Sequence, residues 1–259
     1  GLLKAIMQNS ADDLGQPGPD FLYGYGRLNA RRAYKIINNQ NYFIDSVTDG
    51  NSKSFQIVAP ANTAQVKIML YWPDLPASTS AARAIVNDLD LEVLHGGTTL
   101  LPWVLDPTPN PANLNSPAVQ ARDSLNNMEQ VTITNPSGNI DINVTGFNVP
   151  GMGQKFYVVY EFIEDEVILT YPLGGEGFVP GETEYIRWDA PSDAGNFSLE
   201  YSADGGLNWQ VINNSIGAGR RYETWVVPDS AGSTYKIRVS RNGKSSETSA
   251  LRWTMLRCS

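Results

Sequence analysis

The sequence predicts a mainly β protein: two β-sandwich or jelly-roll domains preceded by a short helical segment. Three observations predict it. Short blocks such as Leu89-Asp90-Leu91-Glu92-Val93-Leu94-His95 alternate apolar and polar residues, the period of a half-buried strand. Gly, Pro and Asn punctuate these blocks at close intervals, which marks turns rather than helices. The composition is rich in β formers, with six Trp and twelve Tyr, and helical periodicity is confined to the start of the chain. At 259 residues the chain exceeds the usual single core, so two domains and an appendage are expected. The boundaries are read at 1–40, 41–163 and 164–259.

The appendage comes first. Leu2, Leu3, Ile6, Met7 and Ala11 recur at helical spacing and predict one buried stripe. Asp12-Asp13-Leu14-Gly15 ends that helix, and Gln16-Pro17-Gly18-Pro19-Asp20 is a loop. Tyr23-Gly24-Tyr25-Gly26 alternates rings with glycines, which permits close backbone approach. Asn29 is positioned to cap a second helix carrying Ala30, Ala33, Tyr34 and Ile37.

From Tyr42 to Ile163 the strand blocks are Phe55–Val58, Gln65–Trp72, Leu89–His95, Val131–Thr134, Ile140–Val144 and Phe156–Tyr160. Gly96-Gly97 predicts a hairpin turn after His95. Residues 105–127 form a long loop rich in Pro and Asn, of a length that a ligand or side-chain hydrogen bonds must hold in place. The acidic junction Glu164-Asp165-Glu166 separates a third part. Its blocks are Val167–Pro172, Glu184–Trp188, Phe197–Ser202, Glu223–Pro228 and Tyr235–Val239, the even spacing of a sandwich. This part lacks the paired cysteines of antibody domains. Trp72, Trp188 and Trp225 lie in alternating blocks and are expected in cores. Trp103, beside Pro102, is expected to be exposed.

These blocks carry a resemblance. Ala5–Ala11 is similar to the "aLlntA" helix, and Tyr23–Ala30 to the "GyGrlnA" turn, at the end of the subtilisin-like serine protease (subtilase) domain. Val66–Asp74, Val86–Leu91 and Asn126–Val131 resemble "vkvtLvWtDp", "lvNDLDL" and "NNvEqV" of the P-domain-like jelly-roll that follows that domain in several subtilases. Pro73 departs from the usual Thr between Trp and Asp. The third part resembles the immunoglobulin-like or fibronectin-like modules of secreted bacterial enzymes. The strong resemblance covers residues 2–37, and a second level covers 41–163.

The resemblance implies the C-terminal part of a secreted subtilisin-like serine endopeptidase. In that family a Ser attacks the peptide carbonyl, a His takes its proton and an Asp orients the His. The family's Gly-Thr-Ser segment precedes the first of these helices, so the triad is expected upstream of Gly1. The segment given is expected to be inactive, with its own upstream protease domain as partner. A protein substrate or a cell-surface polymer is a further partner class. A signal peptide is not expected in a chain that starts inside a domain, and the extracellular location follows from the resemblance alone.

Candidate chemistry within the chain is sparse. His95 is the sole histidine and ends a strand before Gly-Gly, a surface hairpin position. Asp88 and Asp90 are not read as a glycosidase pair, because acidic pairs are common in so acidic a chain. One His and one Cys speak against a zinc site. Cys258 alone makes no internal disulfide. Ser202-Ala203-Asp204-Gly205-Gly206-Leu207-Asn208-Trp209 fits the Asp-box, a turn-folding element.

Calcium is the cofactor the residues suggest. Hard cations take six to eight oxygens. Asn87, Asp88 and Asp90 supply oxygens within four residues, and alternation puts Asp88 and Asp90 on one face of a strand. Asp123 and Glu129, with Asn126 and Asn127, add more if the long loop folds over that strand. Subtilases with this β domain often carry calcium.

The net charge of −8 excludes a phosphate-neutralising nucleic-acid surface. The doublets Arg31-Arg32 and Arg220-Arg221 are expected on the solvated surface. No apolar run is long enough for a transmembrane helix. The rival reading is a stand-alone, calcium-dependent carbohydrate-binding or adhesive β protein.

Overall fold

The structure, a computed structural model, describes residues 1–192, 194–229 and 234–253. Cys258 lies outside the described residues. The chain divides into two compact units, 1–163 and 164–259, so the helical segment belongs to the first unit.

That unit begins with helices α1 (Leu2–Asn9) and α2 (Ala30–Asn38). The strands follow as β1 (Tyr42–Val47), β2 (Ser52–Ala59), β3 (Thr63–Tyr71), β4 (Asp88–His95), β5 (Thr98–Leu100) and β6 (Trp103–Val104). After the short helix α3 (Pro111–Leu114) come β7 (Val119–Gln120), β8 (Met128–Thr134), β9 (Gly138–Asn148) and β10 (Gln154–Glu164). Two four-stranded sheets, ordered β1-β10-β3-β8 and β2-β9-β4-β5, carry the core, and β6-β7 form a small ribbon. Val66, Ile68, Leu70 and Trp72 meet Leu89, Leu91, Val93, Ile140, Ile142 and Val144 in one buried cluster. The inward residues of β4 and β9 follow the period of two that the sequence displays.

Strand β3 departs from that pattern, because both its faces are buried. Its other face presents Lys67, Met69 and Tyr71, and the helical segment covers it: Ala5, Ile6 and Ile36 pack with Met69, Tyr71, Met128 and Val159. The expected single stripe on α1 is therefore divided. Ala5 and Ile6 face the sheet, whereas Leu3 is 62% and Met7 43% exposed. Leu3 and Met7 are one helical turn apart and share a different face.

Buried polar groups fix this contact. The Lys67 ammonium donates to the carbonyls of Asn9, at 3.3 Å, and Ala11. It also ion-pairs with Glu161 at 3.5 Å. Asn9 donates to the Lys67 carbonyl and accepts from Gln130. A cation under a helix C-terminus meets carbonyls that lack intrahelical partners. As expected, the Asn29 side chain caps α2 by accepting from the Arg32 amide. A backbone bridge joins Asp12 to Arg27, at 2.7 and 2.9 Å. Gly26 makes it possible: its φ is +106°, and a Cβ there would collide with the Asp12 carbonyl oxygen.

The second unit contains β11 (Ile168–Tyr171), β12 (Gly177–Phe178), β13 (Thr183–Asp189), β14 (Phe197–Ser202), β15 (Gln210–Ile216), β16 (Tyr222–Val226), β17 (Lys236–Arg241), β18 (Lys244–Glu247) and β19 (Arg252–Trp253). A three-stranded sheet, β11-β13-β16, and a four-stranded sheet, β15-β14-β17-β18, enclose a core with Trp188, Phe197, Trp225 and Tyr235. Strands β12 and β19 pair in parallel.

Two expectations about the surface change. One arginine of each doublet is buried: Arg32 ion-pairs with Asp12 at 3.4 Å, and Arg221 donates to the carbonyls of Ala218 and Ala190. Trp103 is half-buried, with its indole donating to Thr132 and its ring against Gly18.

Removing one member of a buried pair typically costs about 3 kcal/mol or more. Lys67→Met should therefore lower unfolding stability of the first unit by about 3 kcal/mol, measured by urea denaturation followed through its core tryptophan Trp72. An unchanged midpoint would show that the pair holds nothing.

Candidate metal centre

The acidic candidates come together through a gap in a sheet. Strand β5 pairs only with Val93, Leu94 and His95 of β4. Among the described residues no strand pairs with the edge of β4 upstream of them, and Glu129 fills part of that place. Its Oε2 accepts the Leu91 amide at 2.7 Å. Glu129 itself stands on β8 of the facing sheet and is 1% exposed.

Asp88 and Asp90 lie on the same face of β4, opposite the core residues Leu89 and Leu91, and each is 5% exposed. Asp123 is held by an Asx-type turn. Its Oδ1 accepts the amides of Leu125 and Asn126, and its Oδ2 accepts the Asn126 side chain. The Arg122 guanidinium is 3.4 Å from Asp90 and 3.3 Å from Glu92. Asn87 is engaged elsewhere. Its side chain donates to Gln154, its amide to Asp74, and its carbonyl accepts from Trp72.

Three carboxylate oxygens here, Asp88 Oδ1, Asp90 Oδ2 and Glu129 Oε1, are buried without a hydrogen-bond partner. Such groups are uncommon in folded proteins and costly when ionised. Burial pushes Glu129 well above the usual carboxylate range, and the charges of Asp123, Asp90 and Asp88 add to the rise. Burial, with Asp88 and Glu92 beside it and Arg122 opposing, pushes Asp90 up to about 6. Asp88 is raised too, by burial first and then by Asp123, against the pull of Arg83.

The donor chemistry is that of a hard cation, oxygen only and several carboxylates, but the Asp90 Oδ2 atom already faces the Arg122 guanidinium at 3.4 Å. The residues do not form a finished cage. Among the described residues no three His, Cys, Asp or Glu side chains stand in an arrangement that could hold a metal ion. The orphaned oxygens still require compensation, by protons or by a cation.

Two residues that sequence reasoning gave no role complete the surroundings. Asp74 accepts three backbone amides, those of Leu75, Val86 and Asn87, and thereby ties the β3–β4 loop to the start of β4. Its signal was its place after Trp72-Pro73. Tyr25 reaches over from the helical segment. Its hydroxyl donates to the Met128 carbonyl at 3.4 Å, and burial next to Asp123 and Glu129 raises its pKa.

The remaining candidates have structural positions. His95 ends β4, with Nδ1 3.3 Å from the Asn139 carbonyl oxygen. In the Asp-box, Asp204 accepts from the Asn208 amide and side chain, which holds its pKa down at about 2. The Arg238 guanidinium lies 4.0 Å from the Trp209 ring centroid.

No family model matches the chain, and no curated protein matches it. Solved structures similar to it include the fibronectin(III)-like modules of CbhA from Clostridium thermocellum, at 15% identity and a TM-score of 0.26, covering 83% of this chain and 96% of that one. Another is the adhesin domain of Epf from Streptococcus pyogenes, at 8% identity and a TM-score of 0.28, covering 82% and 77%. Likeness at this level leaves the fold description to rest on the chain's own strands.

The raised carboxylates have a direction that can be measured. A carboxyl whose folded pKa exceeds its unfolded value favours folding below the unfolded pKa and loses that contribution as pH rises through the folded one. For Asp90 the window runs from about pH 4 to just above 6. In the presence of a chelator, melting temperature should fall across that window, and Asp90→Asn should flatten the slope. Equal slopes in the two proteins would place Asp90 outside the cluster's electrostatics.

Proposed function

We propose that the chain is the non-catalytic C-terminal region of a secreted subtilisin-like serine endopeptidase, in which the helical segment welds the protease domain to the first β domain. One observation carries this reading: the helices are apolar on two sides. One side is buried on β3, as described above. The other leaves Leu3, Met7, Tyr34 and Ile37 between 43% and 66% exposed. Large exposed apolar side chains on short helices suit contact with a further body of protein, and the subtilase-like motifs suggest which body. The proposed organisation is 1–40 from the protease domain, 41–163 as the P-domain-like jelly-roll and 164–259 as the immunoglobulin- or fibronectin-like module.

In this reading the β domains stabilise or target the protease outside the cell, and calcium compensates the buried carboxylates of Asp88, Asp90, Asp123 and Glu129. None of the described helices is long and apolar enough to cross a membrane.

A second reading, an adhesive or carbohydrate-binding protein, has its own support. On the outer face of the second unit's four-stranded sheet, Ser198, Ser240 and Ser245 stand in one cross-strand row. They line a cavity of about 360 Å³ with Glu200, Arg238 and Asn242. Such a polar surface suits a hydroxyl-rich polymer.

The coding sequence upstream of residue 1 separates the two. The protease reading expects Asp, His and Gly-Thr-Ser blocks there, and an upstream frame without them would end it. The chain by itself should hydrolyse no casein at pH 7 to 10, and inhibitor-sensitive turnover that co-purifies with it would contradict the non-catalytic assignment. Calcium should raise the melting temperature and chelator lower it, with the difference lost in Asp88→Asn. A curve indifferent to both would leave protons, not calcium, as the compensating charge.

A further inference from the structure

The three-stranded sheet of the second unit turns one face to its core and the other to solvent. Ile186 and Trp188 of β13 and Trp225 of β16 are core residues. Alternation leaves Tyr185, Arg187, Tyr222, Thr224 and Val226 exposed on the opposite face. Thr224 is the cross-strand partner of Tyr185, and Tyr222 that of Arg187, so the two tyrosines stand on a diagonal. Their ring centroids are 6.0 Å apart, with the planes inclined at 55°. Tyr185 is 47% and Tyr222 40% exposed.

Each ring has a guanidinium beside it. That of Arg187 lies 5.4 Å from the Tyr185 centroid, and that of Arg220 lies 5.0 Å from the Tyr222 centroid. Arg220 meets a carboxylate, that of Glu223, only at 3.9 Å. The Arg187 guanidinium makes no hydrogen bond or ion pair among the described residues. The chain holds 27 acidic and 19 basic residues, yet none of the five outward side chains is acidic. Cross-strand pairs of this kind steady a sheet by themselves. They do not call for an arginine left without a counter-charge in so acidic a chain.

We infer that this face binds a polysaccharide whose sugars carry carboxylates, with Tyr185 and Tyr222 as stacking rings and Arg187 and Arg220 as carboxylate partners. The C–H face of a sugar ring packs on an aromatic face, and a guanidinium takes a carboxylate in a two-point contact. A single flat ligand cannot lie on two rings inclined at 55°, whereas consecutive sugars turn relative to one another along their chain. Nucleic acid, charged at every phosphate, needs a longer run of cations than two arginines supply. The inference is independent of the protease reading, and the face belongs to a different sheet from the serine row.

Calorimetry on the whole chain tests this with three uronic acid polymers: polygalacturonate, alginate and hyaluronan. Dextran serves as a neutral polymer and poly-glutamate as an acidic peptide. At least one uronate should bind, with dextran and poly-glutamate weaker by about tenfold or more. Arg187→Gln and Tyr222→Ala should each weaken uronate binding about tenfold. Tyr185→Phe keeps the ring and should bind as the wild type does. Thr224→Glu places a negative charge between the tyrosines at an exposed position and should abolish binding, with the melting temperature showing that the fold persists. Ser240→Ala, on the other sheet, should change nothing. Binding to none of the three uronates would overturn the inference. Equal binding of dextran would remove the carboxylate from recognition, and equal binding of poly-glutamate would remove the sugar. Wild-type affinity in Arg187→Gln and Thr224→Glu would place the binding elsewhere, and its loss in Ser240→Ala would move it to the serine row.

Discussion

The Lys67 ammonium, buried beneath the end of α1, is the interaction on which the first unit's arrangement depends. An amine charge inside a protein is tolerated only where acceptors surround it. Here the acceptors are the carbonyls of Asn9 and Ala11 and the carboxylate of Glu161. Because Lys67 lies on β3 and Glu161 on β10, the helix end is referred to two adjacent strands at once. Once α1 is placed, Ile6 covers Met69, Asn9 meets Gln130, and the chain from Ser10 onward is directed toward the turn that carries Tyr25. A wholly apolar contact would bury as much surface but would not choose one register so sharply, since hydrogen bonds are directional and dispersion is not.

The sequence was most legible where one face of a strand meets water. β9 and β14 alternate cleanly, and their inward residues are the core residues; β4 alternates in sequence too, although its Asp88 and Asp90 are buried as well. Legibility fell where a second layer covers the sheet. Val66–Trp72 reads as half-buried because Lys67 interrupts it, yet Lys67 is buried too. β15 was missed because Gln210-Val211-Ile212-Asn213-Asn214-Ser215-Ile216 has no period of two. It is an edge strand whose pairing with β14 is broken by register shifts, so its residues do not keep to one face. Arg32 and Arg221 were read by residue type alone, and only tertiary neighbours could reveal the carbonyls and the carboxylate that hold them.

The candidate site was legible in part for the same reason. Strand geometry places Asp88 and Asp90 together, and spacing alone carries that conclusion. Asn87 is adjacent in sequence but points away, as any residue one step along a strand does. Glu129 lies 38 residues from Leu91 in the chain, and no local rule links them. Their meeting depends on β5 being too short to cover β4, which is a property of the sheet and not of either residue.

That short strand explains why acidity collects at this place. An open strand edge exposes amides that another chain can pair with, and proteins protect such edges with charge or cover. A buried carboxylate protects the Leu91 amide from within, leaving no room for a foreign strand. The cost is a further carboxyl group buried in a site that already holds Asp88, Asp90 and Asp123. Arg122 offsets some of it, but its side chain is 49% exposed and it is shared with Glu92. A surface arginine screened by water offers little against carboxylates with 1% to 5% exposure. Burial raises the pKa of Glu129, Asp90 and Asp88, so protons meet part of that charge. Edge protection and the raised carboxyl pKa values are therefore two consequences of the same short strand β5.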